Sequence, residues 1–485
     1  MTDPLDDDLN QMDEMYDVPQ KNNNNEEVMG DLYLGDKLGN IDDAVDHAQL
    51  SIDKRDRERA EWVAVRRQPR NKLQKIVAYV IPYGGLLSSG LNLASSSIGA
   101  GIISLASAVE TSGIIMAVIY MVIIGILTVY SFTLLGIAGK RTGIRNYEEI
   151  VEALMGKGGG LFLAFCLWFL SFFAEVSYAL SLHDIMIQFL ENSPNIPKYL
   201  RTTSGINLLT SMLWLVFMFP LCIPREINTL RYFSFVGISF IIFFVICMII
   251  HASQGGLKHG IRGDLVLFQH GNKAVMGMAN FIFSFICQLN CFEVYDEMYK
   301  PTVRRLTMGA SIGVVLCFCL YFLSGFIGYC DFGPAVADKS VLKMYNPIAE
   351  PLMGVAYVGV MFKLCVGYGL HSIPVRDSIY YFAGTNVRRV PFHWHVVCVI
   401  CFTTVSLICG LYIPRVNLVY GLVGGFSGGF IGFIFPAYMF MYTGDWTLQS
   451  VGWFHYFMTY LLLIVGVIAV VWGTAATIYG EVISH

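Results

Sequence analysis

The sequence predicts an all-α integral membrane protein of about eleven transmembrane helices, arranged as a five-plus-five inverted repeat with helices 1 and 6 broken. Three observations predict it. Of 485 residues, 55% are hydrophobic and only 14% charged, against about 25% charged in a soluble domain. The charge is segregated: residues 1–75 hold 18 Asp/Glu and 11 Lys/Arg, residues 76–485 hold 18 and 21. Two polar interruptions fall inside apolar runs that lie five spans apart. So little charge over 410 residues excludes a soluble enzyme, a nucleic-acid binder and a secreted scaffold.

Residues 1–75 open with no apolar stretch, so no signal peptide is expected. The run Asn22–Asn25 and the clusters Asp6–Asp8 and Asp42–Asp43 predict a disordered acidic tail. Its end turns basic at Arg66, Arg67, Arg70, Lys72 and Lys75. Such a collar beside a membrane entry point predicts a cytoplasmic tail in reach of anionic lipid headgroups. The transmembrane domain is then 76–485.

A helix needs about 20 apolar residues to cross the hydrocarbon layer. Eleven runs qualify: 84–110, 114–138, 159–190, 205–223, 232–252, 274–298, 306–329, 352–383, 395–413, 416–441 and 453–479. With the tail inside, the cytoplasmic loops and collar carry 16 Lys/Arg and the outer loops 8. This bias predicts a cytoplasmic N-terminus and an outer C-terminus, with the plasma membrane as the default location. The segment Asn146–Met155 is too short and acidic to span and reads as an amphipathic surface helix. All 12 cysteines lie beyond residue 165, mostly in apolar runs, where a thiol acts as a small hydrophobe.

Span 1 contains Leu91–Ile103, LNLASSSIGAGII, in which three serines precede Gly99-Ala100-Gly101. Span 6 contains Phe281–Met298, FIFSFICQLNCFEVYDEM, with Gln288 and Asn290 in mid-run. Broken helices at matching positions of two repeats point to a transporter's central site. A break frees N–H groups on one half-helix and C=O groups on the other, and these must be satisfied within the membrane. The N–H end attracts a carboxylate and the C=O end a cation. An α-amino acid carries both charges. Ser96, Ser97, Gly99, Ala100, Gly101, Gln288 and Asn290 are the expected contacts to such a backbone.

These residues resemble a known family. Asn92–Gly113 and Phe281–Met298 are similar to the first- and sixth-span signatures of the amino acid/auxin permeases, within the amino acid–polyamine–organocation superfamily. Pro374-Val375-Arg376 and the Gly-rich run Gly421–Pro436 resemble two more of its motifs. Spans 1, 3 and 6 look closest to kinetoplastid amino-acid permeases. The resemblance covers about residues 80–480 and implies a LeuT-like fold of ten core helices plus one, with secondary active transport of amino acids. It also implies where sodium-coupled members bind their ion. Here Ser95 and Cys365 stand at two positions where such members carry Asn and Thr, which weakens the oxygen set that sodium needs. Lys363 lies two residues before Cys365, inside an apolar run. An intramembrane lysine is functional by default, and its ammonium is expected to replace the sodium charge.

The spans hold seven acids, Glu110, Glu175, Asp184, Glu293, Asp296, Glu297 and Asp377, against two bases, Lys363 and Arg376. A buried carboxylate needs a partner or a proton. Glu175, at mid-depth in span 3, and Glu293, three residues after the second break, are the candidates to pair with a cationic side chain or to carry a proton. Glu175 as a structural partner of Lys363 remains a third option. The expected function is transport of arginine or lysine, proton-coupled or uncoupled. A broad neutral permease and a non-transporting sensor are the alternatives. His183, His251 and His371 read as packing groups. Phe172, Tyr178, Phe281 and Phe285 are candidate gates. A membrane enzyme is disfavoured, since HExxH is missing and both GxSxG matches lie in apolar spans. No cofactor, metal or nucleic acid is expected. The partners are the amino acid, possible coupling protons and membrane lipid, around a monomer.

Overall fold

The computed structural model describes residues 57–65, 67, 82–99, 101–194, 196–224, 230–258, 260, 262–337, 339–385, 390–413 and 416–483. It is an all-helical membrane protein. Ten helices are long and apolar enough to span, and a bent pair, Leu86–Ser97 with Gly101–Ser112, makes an eleventh span. The expected run boundaries hold within a few residues. The chain enters span 1 on the face that carries residues 57–65, here the tail face. The opposite face is the far face.

Apolar side chains line both sides of the helix shell, as a lipid solvent requires. On span 2 (Ile114–Thr142), Met121, Ile124 and Leu127 are buried, while Ile115, Ile119, Ile123 and Ile126 face outward. Every cysteine among the described residues is a free thiol, and the two exposed ones, Cys319 and Cys401, lie on spans 7 and 9.

The spans sort into two packing groups. Span 7 (Val303–Phe332) packs along both halves of span 1 and along span 2, and half-helix 6a (Asn272–Phe285) packs on half-helix 1b (Gly101–Ser112). Span 8 (Pro351–Phe382) packs along span 3 and span 5 (Leu230–Gln254), and span 9 (Phe392–Tyr412) packs on span 3. Close approach within the first group rests on Gly90 and Gly313. A Cβ on Gly313 would stand 2.7 Å from the carbonyl oxygen of Gly90.

The surface helix expected at Asn146–Met155 is continuous with span 3 in one element, Tyr147–Asn192. Gly156, at φ 78°, turns the chain between the two parts, a conformation that a side chain resists. Asn146 caps the start by accepting from the Glu149 N–H at 3.1 Å.

The expected disorder of the tail does not extend to residues 57–65, which are helical. So short a helix is held by what it docks on. Val63 is buried, Trp62 meets the Tyr83 ring edge-on at 6.1 Å, and Arg59 Nη1 donates to the carbonyls of Asp296 (3.2 Å) and Met298 (3.0 Å). Residues 1–56, the collar residues Arg66, Arg70, Lys72 and Lys75, and Ala100 lie outside the described residues.

Candidate functional site

Half-helix 1a (Leu86–Ser97) stops where Ile98 leaves helical geometry, and half-helix 1b begins at Gly101 with its axis turned by 65°. Serine and glycine are poor helix propagators, so the chain breaks here at little cost. The break leaves carbonyls at the end of 1a without helical donors. Lys363 fills that end. Its Nζ donates to both the carbonyl oxygen and Oγ of Ser95, each at 2.7 Å, and its side chain is fully buried. The stem passes Gly237 of span 5, where a Cβ would stand 2.7 Å from Lys363 Cδ. A positive charge at a half-helix C-terminus is favoured by the helix dipole. The structure thus brings Lys363 and Ser95 together. It does not bring Cys365 to them: two residues along a helix turn the side chain about 200°, and Cys365 neighbours Cys222 of span 4 instead.

The second break runs from Ile286, in extended geometry, through a short turn at Gln288–Asn290 to half-helix 6b (Cys291–Glu297). Asn290 Nδ2 donates to Ser96 Oγ and so joins the two breaks. Gln288 is buried and serves its own break, with Oε1 accepting from the Cys287 N–H at 3.0 Å. Half-helices 1b and 6a meet at Gly101, where a Cβ would stand 2.9 Å from Ser284 Oγ. Ser97 is buried beside them. Tyr178 of span 3 reaches the first break: its hydroxyl occupies the space a Cβ on Gly99 would need, and its ring lies 5.4 Å from His371. The expected backbone-binding residues among those described therefore converge on one locus.

Below that locus, toward the tail face, Glu293 of 6b is exposed. Four acidic groups lie close enough to act on it: Glu297, Asp377, Glu148 and Asp296. Two of these have basic partners of their own. Arg145 Nη1 lies 2.9 Å from Asp296 Oδ1, and Arg376 Nε 2.9 Å from Asp377 Oδ1. Glu297 Oε2 accepts from Asn92 Nδ2 at 3.4 Å. Glu293 thus stands exposed on the tail side of the second break, with acidic side chains for close neighbours.

Residues 83–479 match the transmembrane amino acid transporter proteins. The chain belongs to that family. The match takes in every span, both breaks and Lys363, and leaves out the tail. The family is one of transporters, not enzymes, and its members share the LeuT-like fold expected from the two breaks.

In this transporter Glu175 does not point at the breaks. Tyr178, one turn on along the same side of span 3, is the residue that reaches them. The Glu175 carboxylate is fully buried between spans 3, 4, 8 and 9, near Ser406, Tyr368 and Cys222. Neither of its oxygens finds a hydrogen bond of normal geometry. The nearby hydroxyls are committed elsewhere: Tyr368 and Ser406 meet at 2.5 Å, and Ser406 donates to the Thr403 carbonyl. Glu175 is not the partner of Lys363 either, whose Nζ bonds go to Ser95.

Sequence reasoning missed the ties at the far face. Asp184, fully buried on span 3, pairs with Lys343 of the loop between spans 7 and 8 at 2.9 Å, off the line of a hydrogen bond. That loop seats Val341 and Leu342 in the core. A loop lysine some 160 residues away carries no local signal for this contact. A cleft of about 770 Å³ between spans 2, 6 and 11, lined by Met116, Phe268, His270, Trp472 and Tyr479 among others, lies at the far-face rim. It is away from the breaks and mostly apolar, so it does not replace them as the substrate site.

Proposed function

We propose that this transporter carries cationic amino acids, arginine or lysine, by alternating access and without sodium. The observation that carries the substrate class is Glu293: an exposed carboxylate one turn past the second break, with four acidic groups close by. A cationic side chain leaving the breaks toward the tail face would meet it first. An uncharged side chain would gain nothing from that charge.

Independence from sodium is supported by Lys363, whose ammonium holds the half-helix carbonyl that a metal ion would need. Coupling to protons or to nothing follows. Glu175, desolvated and without a normal hydrogen bond, is the carboxyl best placed to hold a proton. In this reading the tail face is cytoplasmic, the far face is outside, and the protein acts as a monomer in the plasma membrane. Its likeness in spans 1, 3 and 6 to kinetoplastid permeases is part of the same reading.

The test is uptake into proteoliposomes of labelled arginine, lysine, leucine and glutamine, with and without sodium and proton gradients. Arginine or lysine should dominate, and removing sodium should change nothing. Full competition by leucine with none by lysine would establish a neutral permease. Binding without counterflow would establish a sensor.

A further inference from the structure

We propose that a line of water molecules enters between spans 3 and 4 from the far face and delivers a proton to Glu175, apart from the substrate path at the breaks. The observation is a set of buried polar atoms in one seam. Both Glu175 oxygens, Trp214 Nε1 and Thr210 Oγ1 are buried and make no hydrogen bond of normal geometry. Glu175 and Thr210 are fully buried, and Trp214 is 7% exposed. Buried polar groups of folded proteins are satisfied by other protein groups or by ordered water. A seam lined by apolar groups stays dry, whereas one with several polar partners for each water holds it.

These atoms follow one another from the far face inward. Span 4 (Thr203–Cys222) starts at the far face. Near that end, Asn207 Oδ1 meets His183 Nε2 of span 3 at 3.0 Å, and both residues are half-buried. This pair is the mouth of the line. Thr210 lies three residues further in and Trp214 one turn beyond it, on the same side of the helix. Trp214 Nε1 points at the Tyr368 hydroxyl of span 8. That hydroxyl meets Ser406 Oγ of span 9, which stands beside the Glu175 carboxylate. One helical turn is about 5.4 Å, a step that a single water with two hydrogen bonds can bridge.

The seam is barred in the other direction. On the tail side of Glu175, Cys222 of span 4 meets Ser372 of span 8. One turn past Ser372 stands Arg376, fully buried, with Nη1 donating to the Pro224 carbonyl at 3.2 Å. A fixed guanidinium repels a hydronium ion, as in pores that exclude protons. Facing Glu175 itself are the Ser406 hydroxyl from span 9, the Tyr368 phenol from span 8 and the Cys222 thiol from span 4, with Cys365 beside that thiol. A hydronium ion at the inner end of the line gives its proton to a Glu175 oxygen and is left as water. The neutral carboxyl then has a proton to donate, and the cost of an unpaired buried ion is gone. This line rests on the proton-coupled arm of the reading above, but not on which amino acid is carried.

The experiment compares two rates in proteoliposomes, using labelled arginine or leucine, whichever the wild type carries. One is net uptake driven by acid outside, and the other is exchange at equal pH on both sides. Net uptake needs a proton delivered in each cycle, and exchange does not. Thr210→Val keeps the shape of the side chain and removes its hydroxyl. It should slow driven uptake about three- to tenfold, the range for one lost hydrogen bond, and change exchange by less than about twofold. Trp214→Phe should do the same and stays informative if the valine variant folds poorly. Driven uptake equal to wild type in both variants, or an equal fall in both rates, would overturn the line. Wild-type uptake that ignores the proton gradient would overturn the coupled reading instead. Radiolytic footprinting, which oxidises side chains that touch bound water, tells the two failures apart. Trp214 should be labelled in the wild type despite its burial, and less in Thr210→Val. An unlabelled Trp214 would overturn the line whatever the coupling.

Discussion

Replacing Lys363 by methionine keeps the length of the side chain and removes its charge. Two bonds to Ser95 disappear. Hydrogen bonds to charged groups are worth about 1.5–3 kcal/mol each, so the gross loss is about 3–6 kcal/mol. Against it, an ammonium no longer has to be buried, which relieves several kcal/mol. Thermal unfolding is therefore expected to shift by less than about 2 kcal/mol in either direction. The tie between half-helix 1a and span 8 is different, because nothing replaces it. If only a third of the gross value held the two groups together, about 1–2 kcal/mol, the balance of conformations would move about 5- to 30-fold. Exchange in proteoliposomes is the assay, with thermal unfolding as the control for folding. Exchange should fall at least fivefold while the melting temperature stays close to wild type. A Lys363→Met variant exchanging within about twofold of wild type would refute the reasoning, as would strict sodium dependence of the wild-type protein.

Four further outcomes are expected. Glu293→Gln should lower arginine uptake relative to leucine by about tenfold, roughly the value of one charge-assisted contact, and an unchanged arginine-to-leucine ratio would remove it from the path. Glu175→Gln should keep the wild-type substrate preference, since its carboxyl faces the seam of spans 3, 8 and 9; selective loss of arginine would contradict its placement. Gly99→Ala should abolish transport by colliding with the Tyr178 hydroxyl, and Tyr178→Phe in the same chain should restore part of it, measured as uptake. Asp184→Asn should change stability by no more than about 1 kcal/mol, because Lys343 is 30% exposed and returns to water when its partner is lost; a loss above about 3 kcal/mol in thermal unfolding would show that the ammonium stays buried.

Much of the fold was legible because lipid makes a strict solvent. Every span had to be a long apolar run, and every polar residue in one had to have a reason to be there. The breaks were readable for the same cause: SSSIGAG and QLN are costly in a plain membrane helix. Lys363 and Ser95 could be associated because the resemblance aligned them. Direction around a helix was harder to read. Span 3 is buried on nearly all sides, so its apolar pattern does not say that Tyr178 reaches the break while Glu175, one turn earlier on the same side, ends among Tyr368, Ser406 and Cys222. Cys365 failed in the same way, standing on the far side of its helix from Lys363. The contacts of Lys343 and Arg59 were out of reach because each joins segments remote in sequence. Arg59 also lay in a segment whose composition resembled a tail.

The placement of the thiols has a practical consequence. Cysteines 319 and 401 are exposed only on helix faces of the kind that meet lipid, and most of the others are sealed in the core. A charged, water-borne alkylating reagent has little to attack on the native chain. A thiol introduced at Leu342, in the far-face loop, would then report almost alone. Opening of that face can be followed chemically in the unaltered background, without first stripping twelve native residues.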